Sequence, residues 1–413
     1  MKSNPIATPT QHALERRALE LLREPRIEAA RAELHDEWLR MAKPSQDQRR
    51  CFESSFEEVM FCATVWSLVQ DAERPEIATI TRLAHRVGDT AIPGSRYGVD
   101  NPDSVYRVIP IDGAERYVIR GRVAERRLTE NHFTLWDAAM NTVDTLSGND
   151  LVLGEDRRFE ITVDADPANG RPNHIRSSPA AREFFIRDVL LDWARDEPNE
   201  LSIERLGDVP RMPARSDAEQ IEATLALMRA WVENSLRWNR QALDESPNSL
   251  SFTIDRETDG ALRNQLYVMG YFDLADDEAM ILDVHTGGAR YFIAPITNLW
   301  GTSNEIVHRT SCLNSHQSAA NPDGTLSYVV SLEDPGVHNW LDPCDMRDGF
   351  LTLRWAEFPG GTPSAQVRVE SRVVPHGRLR EELPRTTRWV TPEERRAQLA
   401  ERARSYAWRL QDH

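Results

Sequence analysis

The residue types best suited to chemistry gather late in the chain. Asn339-Trp340-Leu341-Asp342 follows a Pro-Gly turn. Trp340 offers a flat apolar surface with one donor, Asn339 a donor and an acceptor, and Asp342 a charge or general base. Such a mixture suits a pocket for a ring-bearing molecule, although Asn and Asp also tie up loop amides and Trp also plugs sandwich ends. A second polar cluster holds Arg309, Ser311, Asn314, His316 and Gln317. His316 is a candidate general base, because imidazole titrates near neutrality. The reading that follows assigns acid–base roles to Asp342, His316 and Asp334. It assigns substrate binding to Trp300, Trp340, Asn339, Arg309, Arg354 and Asn314.

Other chemistries find less support. No Gly-x-Ser-x-Gly elbow occurs, which disfavours an α/β-hydrolase. Neither Gly-x-Gly-x-x-Gly nor a Walker-type loop occurs, which disfavours nucleotide-binding folds. His285, His308, His316, His338, Asp334 and Asp342 are scattered, without His-x-His, His-Glu-x-x-His or Cys-x-x-Cys spacing. No metal ligand set and no cofactor is therefore expected. Calcium on loop carboxylates, or a transition metal gathered from distant loops, is the less favoured alternative.

The elements that must position these residues follow from periodicity. Residues 1–95 read as a helical region: Leu14, Ala18, Leu21 and Leu22, then Ile27, Ala30, Leu34, Trp38 and Met41, then Phe52, Phe56, Val59, Ala63 and Trp66 keep helical spacing. Pro75 is expected near the start of another short helix. Residues 96–215 form a first β unit. Val105–Ile111 and Arg116–Val123, joined at Asp112-Gly113, carry a hairpin signal. The apolar run 184–191 fits strand or helix. Residues 216–247 form a long linking helix on Ile221, Leu225, Met228, Val232 and Leu236. Residues 248–375 form a second β unit. Residues 376–413 carry nine arginines against six acids and a helix start at Thr391-Pro392, with Glu394 three residues on. Leu399, Ala403, Tyr406 and Leu410 make its apolar stripe, expected to dock on the acidic body or on a second subunit.

The two β units resemble each other. Phe159, Ile161, Val163 and Ala165 alternate into Asp166-Pro167; Leu326, Tyr328, Val330 and Leu332 alternate into Asp334-Pro335. Asn173 matches Asn339, Phe184-x-Ile186-Arg187 matches Leu351-x-Leu353-Arg354, and Ile203-Glu204 matches Val369-Glu370. Tyr117-Val118-Ile119 further resembles Tyr291-Phe292-Ile293. The expected fold is α+β: two related antiparallel β-sandwiches, jelly-roll-like, with an N-terminal helical region, a linking helix and a C-terminal helix.

Residues 267–354 resemble the bacterial domain of unknown function 1214 family. The resemblance rests on Asp277-Glu278, Asn298, Trp300-Gly301, Arg309, Ser311, Leu313-Asn314, Gln317, Asp323-Gly324, Asp334-Pro335-Gly336, Asn339-Trp340-Leu341-Asp342 and Arg354. It implies a β-sandwich or jelly-roll core and brings no settled activity. Where such proteins commonly place Gly-His after the Asn-Trp-Leu-Asp motif, this chain has Pro343-Cys344-Asp345-Met346.

Composition bounds the partners. The 413 residues carry 50 Lys and Arg against 66 Asp and Glu, a net charge of −16, which disfavours a nucleic-acid binder. No stretch approaches the roughly 18 apolar residues of a membrane span, and the first 30 residues hold no signal-like apolar core. A cytoplasmic location is expected. Four cysteines make no disulfide framework. The functional expectation is an enzyme performing hydration, elimination, isomerisation or hydrolysis on a small apolar or ring-containing metabolite. The alternatives are a small-molecule-binding protein without catalysis, and an assembly protein whose terminal helices join copies into a homo-oligomer.

Overall fold

The structure is a computed structural model that describes residues 4–207, 212–250 and 265–411. The start of the second β region, residues 251–264, lies outside the described residues.

The helical periodicities are realised in four N-terminal helices. α1 (Pro9–Leu21) starts on Thr8, whose hydroxyl accepts from the Gln11 amide at 3.1 Å, with Pro9 in the first turn. There its missing N–H leaves no bond unmade. α2 (Pro25–Ala42) ends on Lys43 in the left-handed region, and α3 (Gln46–Arg50) is a single turn. α4 (Phe52–Val69) is buried on nearly every face, as a helix apolar all round must be. No helix begins at Pro75. β1 (Ala78–Ile80) pairs instead with Tyr106–Val108, where the β-branched side chains of Thr79 and Ile80 fit better than on a helix.

The remaining strands follow in order. A small hairpin, β2 (His85–Val87) and β3 (Thr90–Ile92), precedes β4 (Ser104–Pro110), β5 (Arg116–Arg122), β6 (Glu130–Asp137), β7 (Thr142–Ser147), β8 (Arg158–Asp164), β9 (His174–Arg176), β10 (Ala181–Val189) and β11 (Glu200–Leu206). α5 (Asp217–Asp244) starts at a capping box made by Ser216 and Glu219. Then come β12 (Gln265–Asp273), β13 (Glu278–His285), β14 (Tyr291–Thr297), β15 (Cys312–Asn314), β16 (Leu326–Ser331), β17 (Trp340–Leu341), β18 (Asp348–Ala356) and β19 (Arg368–Pro375). The chain continues through α6 (Leu379–Glu382) and α7 (Pro392–Tyr406).

The first unit pairs a sheet ordered β1-β4-β10-β6-β7 with one ordered β11-β5-β8-β9; the second pairs β12-β18-β14-β15 with β17-β16-β13-β19. Adding eight to each strand from β4 to β11 converts the first unit into the second. Even the unusual parallel pairs correspond, β8 with β9 and β16 with β17. Each chain segment alternates between its two sheets in the jelly-roll-like manner, and each sandwich encloses its own core.

This order corrects two sequence readings. β4 and β5 do not form a hairpin, because they enter opposite sheets. The Ile111–Glu115 loop crosses the sandwich, which is about 10 Å thick, and the Tyr117 hydroxyl accepts from the Asp112 amide at 2.9 Å. Tyr117-Val118-Ile119 in β5 corresponds by place to β13, not to Tyr291-Phe292-Ile293 in β14.

The sheets containing β10 and β18 face each other. In β10, Phe184 and Ile186 point into their own sandwich, while Phe185 joins the helical layer and Arg187 shares its outward parity. Burial on both faces makes Phe184, Phe185 and Ile186 a continuous apolar stretch rather than an alternating one, which is why periodicity alone left the run between strand and helix. The helices fill the flank of the two facing sheets, packing on Tyr106, Trp136 and Phe185 of the first and Met269 and Phe350 of the second.

Candidate functional site

The nine residues singled out from sequence do not converge on one pocket. Trp300 is fully buried, donates Nε1–H to the Gln48 carbonyl at 2.8 Å and packs against Trp38 and Phe52; it locks the helical layer onto the second sandwich. Trp340 donates to the Ser331 carbonyl at 3.0 Å and lies beneath Arg395 of α7. Asp334 receives Arg395 at 3.0 and 3.1 Å. Asp342 is held by both Nε and Nη2 of Arg309, at 2.6 and 2.8 Å, and Arg309 also reaches Asp345 at 2.9 and 3.0 Å. Asn314 donates to both Asp103 carboxylate oxygens at 3.0 Å, binding the second unit to the first. Ser311 donates to the Glu305 carbonyl at 2.7 Å. His316 is exposed, with Nε2 3.7 Å from Asp192. It shares with His338 a groove of about 400 Å³ beside α7.

Asn339 is a backbone clamp. Its Oδ1 accepts from the Ala319 amide and its Nδ2 donates to the Ala319 carbonyl, both at 2.8 Å. Asn173 does the same to Val152, both bonds again at 2.8 Å. Each asparagine carbonyl then accepts from the neighbouring strand, from Val329 and Thr162 respectively, at 3.0 Å. The repeated Asn is therefore a fold feature of both units.

A cleft of about 510 Å³ opens between α3, α4 and the 298–308 and 344–346 segments, with Glu58, Arg96, Cys51 and Cys344 on its walls. Arg96 spans it from Glu58, at 2.5–2.6 Å, to the Ser303 carbonyl at 2.5 Å. Burial pushes the Cys51 thiol up to about 11 and the Cys344 thiol up to about 12, so neither is a thiolate near neutrality. All four cysteines are free.

Arg354 leads to a different place, the seam between the two facing sheets. Arg354 lies opposite Tyr267 across β18 and β12, and Arg187 opposite Tyr106 across β10 and β4. The same Tyr–Arg pair thus recurs at the same register in both units. The two pairs meet: Arg354 Nη1 reaches the Tyr106 hydroxyl at 3.4 Å, and its guanidinium stands 5.6 Å from the Tyr267 ring centre. Arg187 lies over Phe185 at 4.7 Å.

Glu130, the first residue of β6, sits in this seam and is almost wholly buried. Gln265 Nε2 donates to its Oε1, and the Tyr267 hydroxyl donates to Gln265 Oε1. Glu130 Oε2 has no hydrogen-bond partner among the described residues, and neither has Arg354 Nε. Burial, then the nearby Glu357 charge, pushes the Glu130 carboxyl up to about 8, against the opposing pull of Arg187 and Arg354. Burial likewise raises the Tyr267 phenol. Near neutral pH the seam holds a carboxylic acid, two guanidinium ions and a phenol.

Glu357 behaves oppositely. Burial would raise its carboxyl, but His132 and Arg290 hold it below the ordinary range. His132 Nε2 lies 3.2 Å from Oε1; Asn149 and Arg290 reach Oε2 at 3.1 and 3.3 Å. Its backbone is left-handed, with φ of 58°, an uncommon state for a glutamate. Two carboxyl groups with pKa values driven apart are the pattern by which acid and base roles are set at one pH. Arg187, Arg354 and Tyr267 are half-buried in the seam.

Sequence reasoning named Arg354 and aligned it with Arg187 but missed Glu130, Gln265, Tyr106, Tyr267 and the His132–Glu357 pair. The available signal was the repeat itself: continuing its alignment into β4 and β12 pairs Tyr106 with Tyr267.

No family model matches the chain, and no curated protein matches it. Among solved structures, an uncharacterized protein from Burkholderia cenocepacia aligns over 87% of this chain and 99% of its own, at 22% identity and a TM-score of 0.69. A protein from Vibrio parahaemolyticus aligns over 67% of this chain and 90% of its own, at 11% identity and a TM-score of 0.41. The first shows that this fold is shared. Among the described residues, no group of three His, Cys, Asp or Glu side chains is placed to hold a metal ion, and no helix is long and apolar enough to cross a membrane.

Proposed function

We propose that the protein is an enzyme that moves a proton on a small ring-containing metabolite bound in a recess between the two sandwiches, with Glu130 as the proton donor and acceptor. The observation that carries this reading is the buried Glu130 carboxyl with one idle oxygen and a pKa pushed up to about 8. An acid poised near the operating pH gives the best compromise between availability and driving force. Neutral Glu130 protonates the substrate through Oε2. The resulting carboxylate is stabilised by Arg187 and Arg354, whose charges already face it, and by the Gln265 amide. Burial first, and then the charge of Glu357, held ionised by His132 and Arg290, keep Glu130 neutral until that moment. Tyr106 and Tyr267 offer ring surface for an aromatic or alicyclic substrate. Isomerisation, elimination and hydration all begin with such a transfer. The reading retains the acid–base chemistry expected from sequence and moves it from Asp342, His316 and Asp334 to Glu130. It also keeps residues 267–354 within the family they resemble.

The test needs no prior substrate. A bacterial metabolite extract in deuterium oxide is incubated with the wild-type protein and with Glu130→Gln, then compared by mass spectrometry. The reading predicts a ring-bearing metabolite that gains deuterium or changes mass with wild type alone. Identical extracts would overturn catalysis, and a compound retained equally by both proteins without change would make the recess a binding site.

A further inference from the structure

We infer that the cleft between the helical layer and the second sandwich binds a soft monovalent metal cation of the copper(I) class, held by the sulfurs of Cys51, Cys344 and Met346. The site is separate from the Glu130 seam and goes beyond the acid–base reading.

The argument starts from where the sulfurs lie. Of the four free cysteines, Cys62 and Cys312 are buried, whereas Cys51 and Cys344 are half-buried. These two are far apart in the chain, yet both line the cleft of about 510 Å³, and so does Met346. Cys51 Sγ stands 3.9 Å from Met346 Sδ. Two sulfurs bound to one metal ion at about 2.3 Å, in a trigonal or tetrahedral set, stand about 3.8–4.0 Å apart. The pair is therefore spaced as two ligands of one ion.

Cys344 is the third donor. The segment that carries it is gripped from two sides. Arg309 bridges Asp342 and Asp345 at 2.6–3.0 Å, and Arg50 Nη2 donates to the Asp345 carbonyl at 2.9 Å. Both thiols donate to backbone carbonyls, Cys51 to Gln48 at 3.2 Å and Cys344 to Asp342 at 3.7 Å. Each releases its proton to solvent when the metal takes its place.

The donor types choose the metal. Thiolate and thioether sulfur select soft ions such as Cu(I), whereas calcium takes oxygen and zinc takes His, Cys and carboxylate sets. Among the described residues no three His, Cys, Asp or Glu side chains are placed to hold a metal, so the cleft suits an ion for which methionine counts as a ligand. Its charge suits a cation as well. The lining carries Asp47, Glu58, Glu305 and Asp345 against Arg50 and Arg96.

The probe is Cu(I), titrated anaerobically into the reduced full chain in competition with the chromophoric chelator bicinchoninate. One Cu(I) per chain is expected to leave the chelator, and X-ray absorption of the loaded protein should show a first shell of sulfur. Cys51→Ser, Cys344→Ser and Met346→Leu should each weaken the competition at least about tenfold. Met346→Leu nearly conserves volume and removes the sulfur, so it tests ligation with the packing kept. Cys62→Ala and Cys312→Ala, outside the cleft lining, should leave the competition unchanged, with circular dichroism confirming that each variant is folded. Failure of the wild-type chain to take Cu(I) from the chelator would overturn the inference. So would a first shell of nitrogen or oxygen, or competition that survives Cys51→Ser or Met346→Leu.

Discussion

The residues that look most like a binding motif in the sequence are, in the structure, fasteners, and their energetics differ from those of a site. Asn339 satisfies both backbone groups of Ala319, and Asn173 both groups of Val152. Removing a side chain that satisfies buried backbone groups leaves donors and acceptors unpaired, at about 1–3 kcal/mol. Asn339→Ala and Asn173→Ala should therefore lower unfolding free energy by similar amounts in urea titrations, and neither should alter ligand binding in the recess. A loss of binding without a loss of stability would return Asn339 to the substrate role its sequence context suggested. The motif was legible because its residues must be these types. Its role was not, since an amide that clamps a loop and one that binds a ligand present the same letter. Glu130 was illegible for the opposite reason. It is one acid at a strand start, given meaning by Gln265 and Glu357, which are distant in sequence.

Among the elements, the C-terminal helix shows most clearly how polar residues build an interface. Its start at Thr391, Pro392 and Glu394 was readable, and the capping box is present. The apolar stripe of Leu399, Ala403, Tyr406 and Leu410 was readable too, yet of these only Tyr406 is fully buried. The deeper anchors are Arg395, Arg402 and Arg409, spaced by seven, two helical turns apart. Arg395 reaches Asp334 and the Val337 carbonyl of the second unit. Arg402 donates to the Ile306 carbonyl and to Gln317, and lies 4.4 Å from the Trp193 ring centre. Arg409, in the 3-10 turn that follows, reaches the Pro102 carbonyl at 2.9 Å. The helix is thus a strap across both units. Hydropathy patterns count arginine as a surface residue, although its stem packs like a hydrophobe and its head suits carbonyls and aromatic faces. Arg402→Met should speed hydrogen exchange in α7 by at least about tenfold while β4 and β10 keep their protection. Unchanged exchange in α7 would show that the apolar stripe alone holds the strap.

For the whole molecule, the duplication is the organising fact, and it was legible because Asp-Pro, Asn and Arg recur in order along two alternating patterns. The facing of the two equivalent sheets was not legible, because it depends on which surface each sandwich leaves uncovered. That facing makes the seam, and burial in the seam governs Glu130, whose ionisation bears on the stability of the entire chain. Its carboxyl titrates about 8 when folded and near 4.3 when unfolded. Below about pH 4 both states hold the proton and the contribution to stability is complete. Between about pH 4 and 8 the unfolded state releases its proton while the folded state keeps it, so stability declines as pH rises and levels off beyond about 8. Glu130→Gln should remove that decline. The most direct measurement is a carbon NMR titration of the Glu130 side-chain carboxyl, identified by its absence in Glu130→Gln. An inflection near pH 8, the account's prediction, would establish a neutral acid poised in the seam between the sandwiches. An inflection in the ordinary carboxylate range, about pH 4 to 5, would contradict it.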